Sequence, residues 1–494
     1  QAIFGGGGSA FNGGVAGAGS WGPKNQPISA SNPQALFRAF GPPIGSGFDI
    51  VQEGSLFLKQ LPIGSVVGVR VTDGTDLAAT ATVRDSAATP GPALVLTALY
   101  TGSFGNTLKY TLAAGSNSTV AVPTYKLSMQ LGQFVPEVFD RIVPLTGVAP
   151  WTAIVAAVNS TTSGSKSVVA ALSATPSLLA PATAGSAGVF AGGTDGAGIT
   201  TAMAVGVDGA SGLRTGMYAL RSQNLDAVWL AGIADATSWT TVAAFARSEK
   251  AVGYGSIPTG LSVASAIQAK LGAGLDDPYF VVTKDFVTYL DSYLGLNATV
   301  APACLVAGIA CGVSAEQSPG NRPAYGIIGT ENTINPNGQP YSNADLANLE
   351  AAGIMVVTNP IPSGNTFGTR HGKNTSSNFA TSEIPYARKT NDIVRNLGGQ
   401  TLGQFVNKLQ STRNNDPLRL QVSAALNGYL APQKSNGIIN DFRVTCDATN
   451  NPATSILVAE VVVSYLSVVD KFICNLTAGQ TVDVVAASTL GSLG

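Results

Sequence analysis

Four short segments near the end of the chain, between residues 441 and 485, alternate apolar and polar side chains. This period of two is typical of β-strands. The second segment, residues 455–466, is apolar on one face and carries both apolar and polar side chains on the other. Such a strand belongs inside a sheet or between two layers, so the pattern predicts a sheet at the C-terminal end of the chain. The side chains predicted to mark this sheet are Phe442, Val444, Val461, Val463, Phe472 and Cys474.

The last of the four segments, residues 481–485, is followed only by uncharged, mostly small residues up to residue 494. A strand at the end of a chain can add itself to the sheet edge of another copy. We therefore predict that residues 479–494 form a donor arm, meaning a segment that completes the sheet of a neighbouring molecule. Its predicted strand residues are Val482, Asp483, Val484 and Val485.

Charged residues make up 11% of the sequence, against about 25% in an average globular protein. Surfaces so poor in charge are difficult to keep soluble as free monomers, so the composition favours self-assembly. The formal net charge of −1 provides no overall attraction to nucleic acid or membranes. No apolar run is long enough to span a membrane, and no signal-like segment begins the sequence. We therefore expect a protein made in the cytoplasm and left unprocessed.

A length of 494 residues exceeds what one core supports, so several domains are expected. Short β-branched segments separated by Gly, Asp and Pro, the first of them at residues 65–71, predict a β-rich domain. Alternating patterns then predict an α/β domain with a mostly parallel sheet, and its predicted elements include helices at 213–221, 239–252 and 302–311 and a strand at 354–358. The fold class predicted is therefore α+β and multidomain, with an α+β core domain built from both terminal regions. The predicted divisions are a flexible N-terminal arm at 1–20, an N-terminal part of the core domain at 21–47, the β-rich outer domain at 48–190, the α/β middle domain at 191–364, the C-terminal core domain at 365–478 and the donor arm at 479–494.

Residues 365–430 carry eight basic and three acidic side chains in a chain that is otherwise balanced. This local excess indicates a face for an acidic partner, although an ordinary solvated helix surface is the alternative. The helices predicted around this stretch cover residues 391–410 and 417–430.

Catalysis is not expected from this sequence. His371 is the only histidine, and its polar loop predicts an exposed side chain. No G-x-S-x-G motif places a serine between a strand and a helix. The four cysteines have apolar neighbours and no metal-ligand spacing, which predicts reduced core residues, and no cofactor or metal is expected.

Six motifs appear in order along more than 400 residues, and together they resemble the contractile tail sheath proteins of bacteriophages and of related injection machines. They are Trp21-Gly22-Pro23 with Pro27 and Phe40-Gly41, the loop GSFGN at 102–106, GGTDG at 192–196, APACLVAGIACGVSAEQSPGNRPA at 301–324, Arg388-Lys389-Thr390, and VTCDATNN at 444–451 followed by Lys471-Phe472-Ile473. The Pro-Gly-Val-Tyr opening that is frequent in the family is absent here.

The resemblance implies a virion tail protein that is not an enzyme. Its copies would form stacked hexameric rings around a tail tube, and the sheath would contract to drive the tube through the host envelope. The further partners implied are baseplate and tail terminator or collar proteins, with no direct nucleic-acid binding and no membrane insertion. Ile3 and Phe4 would belong to an N-terminal exchanged arm, and the C-terminal sheet described above would be the acceptor sheet for exchanged strands. The tube-facing residues would be Arg395, Lys408, Arg413 and Arg419.

A second hypothesis is a surface-layer or adhesin-like assembly protein. Low charge and richness in Gly, Ser and Thr favour it. The alternating middle of the chain and the lack of an internal repeat argue against it.

Overall fold

The computed structural model describes residues 11–45, 47–144, 150–177, 179–182, 186–331, 341–411, 413, 416–447, 456–469, 472–477 and 485–490. The helices are α1 (Pro33–Phe40), α2 (Ile50–Gln60), α3 (Pro150–Val158), α4 (Thr201–Val205), α5 (Trp239–Ser248), α6 (Val263–Gly272), α7 (Pro302–Cys311), α8 (Asn343–Ala351), α9 (Ile384–Asn396) and α10 (Pro417–Ser435). The strands are β1 (Phe11–Gly17), β2 (Pro27–Ala30), β3 (Gly64–Arg70), β4 (Thr80–Arg84), β5 (Pro92–Ala98), β6 (Lys109–Ala114), β7 (Tyr125–Gln130), β8 (Glu137–Ile142), β9 (Val168–Leu172), β10 (Ser186–Val189), β11 (Ala227–Leu230), β12 (Val252–Ser256), β13 (Phe280–Lys284), β14 (Val287–Asp291), β15 (Leu296–Val300), β16 (Arg322–Pro323), β17 (Ile327–Thr330), β18 (Ile354–Thr358), β19 (Gly368–Thr369), β20 (Asp441–Thr445), β21 (Glu460–Ser464), β22 (Phe472–Thr477) and β23 (Val485–Leu490).

The largest sheet that these residues form has nine strands in the order β16-β19-β18-β13-β12-β11-β1-β3-β2. The six strands from β18 to β3 run parallel. At the two edges, β2, β19 and β16 are added in antiparallel orientation. Four of the six parallel strands come from residues 191–364, for which a mostly parallel sheet was predicted, but the same region also forms an antiparallel sheet in the order β15-β14-β17. The other two parallel strands come from the first 70 residues.

Helices cover both faces of this sheet because successive side chains of a buried strand point to opposite sides. On one face, Val15 and Trp229 pack with α1, α2 and α7. On the other face, the neighbouring residues Ala16 and Val228 pack with α5 and α8. The α/β body therefore has two apolar cores, one on each side of a shared sheet.

A buried carboxylic acid ties α2 to the sheet. Both carboxyl oxygens of Glu53 accept hydrogen bonds, from the indole N–H of Trp229 at 2.9 Å and from the backbone N–H of Gly232 at 2.7 Å. Burial raises the pKa of Glu53 to about 8, because the charged form loses its hydration. Next to it, the rings of Phe57 and Trp229 stack with centroids 5.0 Å apart.

The glycine-rich start of the chain is not flexible throughout, so the prediction for residues 1–20 is wrong from residue 11 onward. Strand β1 lies between β3 and β11 in the centre of the sheet, and its last five residues are buried. A Cβ atom at Gly13 would lie 2.6 Å from the Phe57 ring and 2.8 Å from the Trp229 ring. A Cβ atom at Gly17 would lie 2.7 Å from the backbone oxygen of Phe48. Close packing therefore explains these glycines better than mobility does.

We expect Gly17→Ala to destabilise the protein by about 2 kcal/mol or more, because the new methyl group overlaps backbone that cannot move without opening the sheet. Gly428→Ala is the matched control. Gly428 lies inside α10 with open space where its Cβ would stand, so the same substitution there should stabilise by about 0.5–1 kcal/mol. Chemical denaturation of both variants checks the prediction, and equal effects would contradict it.

Two smaller antiparallel sheets form an outer domain, in the orders β4-β5-β9 and β10-β6-β7-β8. They share one core with α3, in which Trp151 is fully buried. The β-rich character predicted for residues 48–190 is found over residues 80–189. The first strand of that prediction, residues 65–71, belongs instead to the central sheet as β3.

An ion cluster links the outer domain to the α/β body. Arg70 ends β3 and is fully buried, and its guanidinium donates to the backbone oxygens of Gly19 at 2.7 Å and Gly22 at 2.9 Å. It also donates to Thr101 Oγ1 at 3.1 Å and lies 3.5 Å from Asp76. Asp76 accepts from Lys24 at 2.7 Å and from Thr101. One shared network of hydrogen bonds and ion pairs therefore holds the outer domain to the α/β body at this joint.

Other predicted boundaries are wrong in part. Residues 213–221 contain only a short 3₁₀ turn, Gly216–Leu220, and the helix predicted at 239–252 ends at Ser248. Lys250 has a positive φ, which turns the chain into β12. The helix predicted at 391–410 begins earlier, as α9, and is replaced after Asn396 by a π turn over Leu397–Thr401. Of the strand predicted at 481–485, residues 481–484 lie outside the described residues, and Val485 begins β23 at Val485–Leu490.

Candidate assembly surfaces

The C-terminal region packs a small sheet against two helices. β20 and β21 pair antiparallel, with Phe442 opposite Val463 and Val444 opposite Val461. These four side chains face a cluster formed by α9, α10 and the segment after them, which we call the C-terminal cluster. Its buried members are Ile393, Leu397, Val422, Leu426, Leu430 and Ile439.

Tyr465 joins this sheet to α9. Its hydroxyl lies 2.7 Å from Thr390 Oγ1, and its ring stacks on the ring of Tyr386 with centroids 5.6 Å apart. Asn440 N–H donates to the backbone oxygen of Ser464 at 2.8 Å. This bond joins the residue before β20 to the last residue of β21. The position of β21 on the helices is therefore fixed by side chains at its C-terminal end.

The predicted acceptor sheet is divided between two places. Phe442, Val444, Val461 and Val463 lie together on the inner face of the β20–β21 pair. Phe472 and Cys474 belong to β22, which pairs with β23 in a separate sheet among the described residues. The role of these residues in receiving a strand stays a prediction.

In the part of the chain that the structure describes, β20 and β21 form sheet hydrogen bonds only with each other. Each therefore presents an outer edge of backbone N–H and C=O groups that a further strand can pair with. The outward face of residues 456–466 is mixed, as the sequence indicated, with Glu460 and Ser464 beside four apolar side chains. Ile456, Val458, Val462 and Leu466 on that face are all exposed by more than a third.

Of the predicted donor strand, only Val485 lies within the described residues. It begins β23, which pairs antiparallel with β22 of the same chain from Thr477 opposite Val485 to Phe472 opposite Leu490. Ile3, Phe4, Val482, Asp483 and Val484 lie outside the described residues.

The predicted tube-facing cations lie in two different environments. Arg395 donates to Asp226 Oδ1 at 2.5 Å and to the backbone oxygens of Leu225 and Lys250. Arg419 is 1% exposed and donates to the backbone oxygen of Asp447 at 2.5 Å. Lys408 and Arg413 are exposed at the surface. Two of the four guanidinium or ammonium groups are therefore already engaged inside the chain.

Other cations counted in the basic stretch are also used internally. Arg388 donates to the backbone oxygens of Val313 at 2.8 Å and Ser314 at 3.1 Å. Lys389 is buried and pairs with Asp392 at 2.7 Å. The sequence count missed this because most of the acceptors are backbone carbonyls far away along the chain.

His371 is buried, so the prediction of an exposed loop histidine is wrong. The loop around Gly320 covers it, since a Cβ at Gly320 would lie 3.0 Å from the Cα of His371. Cys304 and Cys311 are buried and unpaired, as predicted for core cysteines. The described residues contain no cluster of three or more His, Cys, Asp or Glu side chains placed to hold a metal ion. Among them, no helix is both long and apolar enough to cross a bilayer.

The amino-acid sequence matches no family model and no curated protein. The fold, however, is similar to the crystal structure of a sheath tail protein from Listeria innocua, with a TM-score of 0.58 and 17% identity over 98% of this chain and 96% of the other. It is also similar to a sheath tail protein from Desulfitobacterium hafniense, with a TM-score of 0.57 and 15% identity over 93% of this chain and 97% of the other. The chain therefore has the fold of sheath tail proteins, which is the family that its motifs resemble.

Proposed function

We propose that this protein is the structural subunit of a contractile phage tail sheath. Its copies polymerise as stacked hexameric rings around a tail tube and contract to drive the tube through the host envelope. The observation that carries the proposal is a fold similar to that of sheath tail proteins along nearly the whole chain, combined with a C-terminal sheet in which β20 and β21 pair only with each other among the described residues.

The open edges of β20 and β21 supply the joint between copies. A strand from a neighbouring molecule can pair there by main-chain hydrogen bonds, and its alternating valines fix the register. A contact of this type is head to tail, so its repetition builds a helical tube unless the rotation closes a ring. The N-terminal residues Ile3 and Phe4 and the C-terminal residues 482–485 are the proposed exchanged segments.

Contraction on this proposal requires no catalysis and no cofactor. The subunits rotate as rigid bodies while the exchanged strands keep them connected, and the contracted packing has the lower free energy. The two cores and the ion cluster at Arg70 support the rigid-body part of this proposal, because they hold the α/β body and the outer domain by dense packing and buried hydrogen bonds.

The partners proposed are other copies of this chain, the tail tube, the baseplate and the tail terminator or collar. The tube-facing surface is proposed to lie on the loop between α9 and α10. Lys408 and Arg413 are its exposed cations. Arg419 supports the same surface from inside through its hydrogen bonds to Ser411 and Asp447, and Arg395 anchors α9 to the α/β body through Asp226.

Electron microscopy of the purified full-length chain tests the proposal. We expect hollow, transversely striated tubes of uniform diameter. Flat two-dimensional lattices would favour the surface-layer or adhesin-like alternative, and monodisperse particles over the whole concentration range would contradict both.

A further inference from the structure

The loop that joins α9 to α10 presents large apolar side chains to solvent. Leu409 is 97% exposed and Val406 is 68% exposed. Leu402 and Phe405, in the same loop, instead pack against the C-terminal cluster. The loop is therefore oriented by one pair of apolar side chains while the other pair faces outward. Apolar side chains exposed in this way are typical of sites that a partner covers.

The loop is anchored at its far end. Ser411 donates through its backbone N–H and its hydroxyl to Asp416, both at 2.8 Å. The other carboxylate oxygen of Asp416 accepts from Leu418 N–H at 2.9 Å, which caps α10. The hydrogen bond from Ser411 is the main reason why the pKa of Asp416 is lowered. These bonds hold the loop end in place beside the start of α10.

Arg419 adds a second anchor. Its guanidinium lies 3.3 Å from the backbone oxygen of Ser411 and 2.5 Å from that of Asp447. The loop end is thereby tied both to the first turn of α10 and to the segment after β20. The next residue, Leu420, is 58% exposed and extends the apolar surface onto the helix. Arg419 is thus placed to support this surface rather than to contact a partner.

The exposed charged side chains of the loop itself have one sign. From Ile393 to Asn440 the sequence has a single acidic residue, Asp416, which is buried and engaged as described. Lys408 and Arg413 are exposed, and Lys408 Nζ lies 5.9 Å from the centre of the Phe405 ring. A complementary partner surface would offer an apolar pocket with carboxylates around it.

We infer that this loop binds its partner mainly through Leu409 and Val406, while Lys408 and Arg413 set the orientation of the contact. The partner surface has an apolar pocket rimmed by carboxylates. The inference rests on the proposed function, under which that surface belongs to the tail tube. Exposed ion pairs are weak and are screened by salt, whereas apolar burial is not, so binding should persist at high ionic strength.

The test uses the full-length protein and purified tail tubes. Wild type, Leu409→Ser and a Lys408→Gln/Arg413→Gln double variant are sedimented with tubes in 0.1 M and in 0.5 M NaCl. The matched control is Leu213→Ser, because Leu213 is also largely exposed but lies in the α/β body. Each protein is also assembled without tubes and viewed by electron microscopy.

We expect wild type and Leu213→Ser to bind tubes at both salt concentrations. Leu409→Ser should bind at least about ten-fold less at both, and still assemble without tubes. The double charge variant should weaken binding mainly at 0.1 M. Tube binding by Leu409→Ser equal to that of wild type would overturn the inference, as would wild-type binding that is lost at 0.5 M.

Two further outcomes are distinguishable. If Leu409→Ser loses tube-free assembly, Leu409 belongs to a contact between copies and the inference is wrong, while the proposed function is unaffected. If wild type forms no ordered polymer with or without tubes, the proposed function fails, and the inference fails with it.

Discussion

Removal of residues 481–494 is expected to yield folded subunits that no longer polymerise. The deletion takes away β23 and with it the antiparallel pairing with β22. On the proposed function, the C-terminal strand leaves β22 and pairs with the open edge of β20 or β21 in a neighbouring copy. The deleted chain has no strand to exchange. Its melting temperature should stay within about 2 °C of wild type, which corresponds to about 2 kcal/mol for a protein of this size.

Analytical ultracentrifugation and electron microscopy measure the loss of polymer, and calorimetry measures folding. Deletion of residues 491–494 alone is the matched control, since it leaves both β22 and β23 intact, and it should polymerise normally. Ala487→Pro is a point variant that should also impair strand pairing and polymerisation. Proline removes the main-chain N–H of residue 487, which lies opposite Asn475 in the β22–β23 pair. Striated tubes formed by the chain that lacks residues 481–494 would refute strand donation.

Arg70→Met should destabilise the protein by about 3–5 kcal/mol. The substitution keeps most of the side-chain volume but removes the guanidinium that satisfies the backbone oxygens of Gly19 and Gly22. It also leaves Asp76 in a buried position with one positive neighbour fewer. The loss is large because unsatisfied buried groups incur their full desolvation penalty.

The destabilisation caused by Arg70→Met should be concentrated at the joint between the outer domain and the α/β body. There, Leu77 and Thr194 exchange two backbone hydrogen bonds of 3.1 Å, and Ala197 N–H donates to Asp73 at 2.8 Å. We expect limited proteolysis of Arg70→Met to cut within residues 71–79 and 190–200 before any other site. Arg84→Met, an exposed position in the outer domain, is the control and should leave the cleavage pattern unchanged.

Elements with a clear local signal were predictable from the sequence. The helix Pro302–Cys311 and the strand Ile354–Thr358 were predicted at the residues where the structure has them. Proline at the first helical position fixes one of these boundaries, and Gly353 with a positive φ precedes the other. Both segments are buried throughout, so a continuous apolar run identifies them.

Strand β1 could not be predicted from its own residues. A segment with the sequence FNGGVAG has few of the β-branched and aromatic residues that mark strands. What makes it a strand is the space left by Phe57, Trp229 and Leu225, which belong to distant parts of the chain. The burial of Arg419 could not be predicted from the sequence either, because its hydrogen-bond acceptors are the backbone oxygens of Ser411 and Asp447. Sequence patterns record local preferences, whereas these contacts depend on which remote segments meet.

The placement of β1 also sets the order in which a newly made chain can fold. Asn12 N–H donates to Asp226, 214 residues further along, so the centre of the main sheet cannot close until that later segment has been synthesised. At roughly 5–20 residues per second, the ribosome needs roughly 10–40 s to supply it. The outer domain is a continuous insertion within this interval and can fold first. A chain whose synthesis has not passed residue 226 therefore lacks a closed central sheet. Subunits able to polymerise cannot appear before that point in translation.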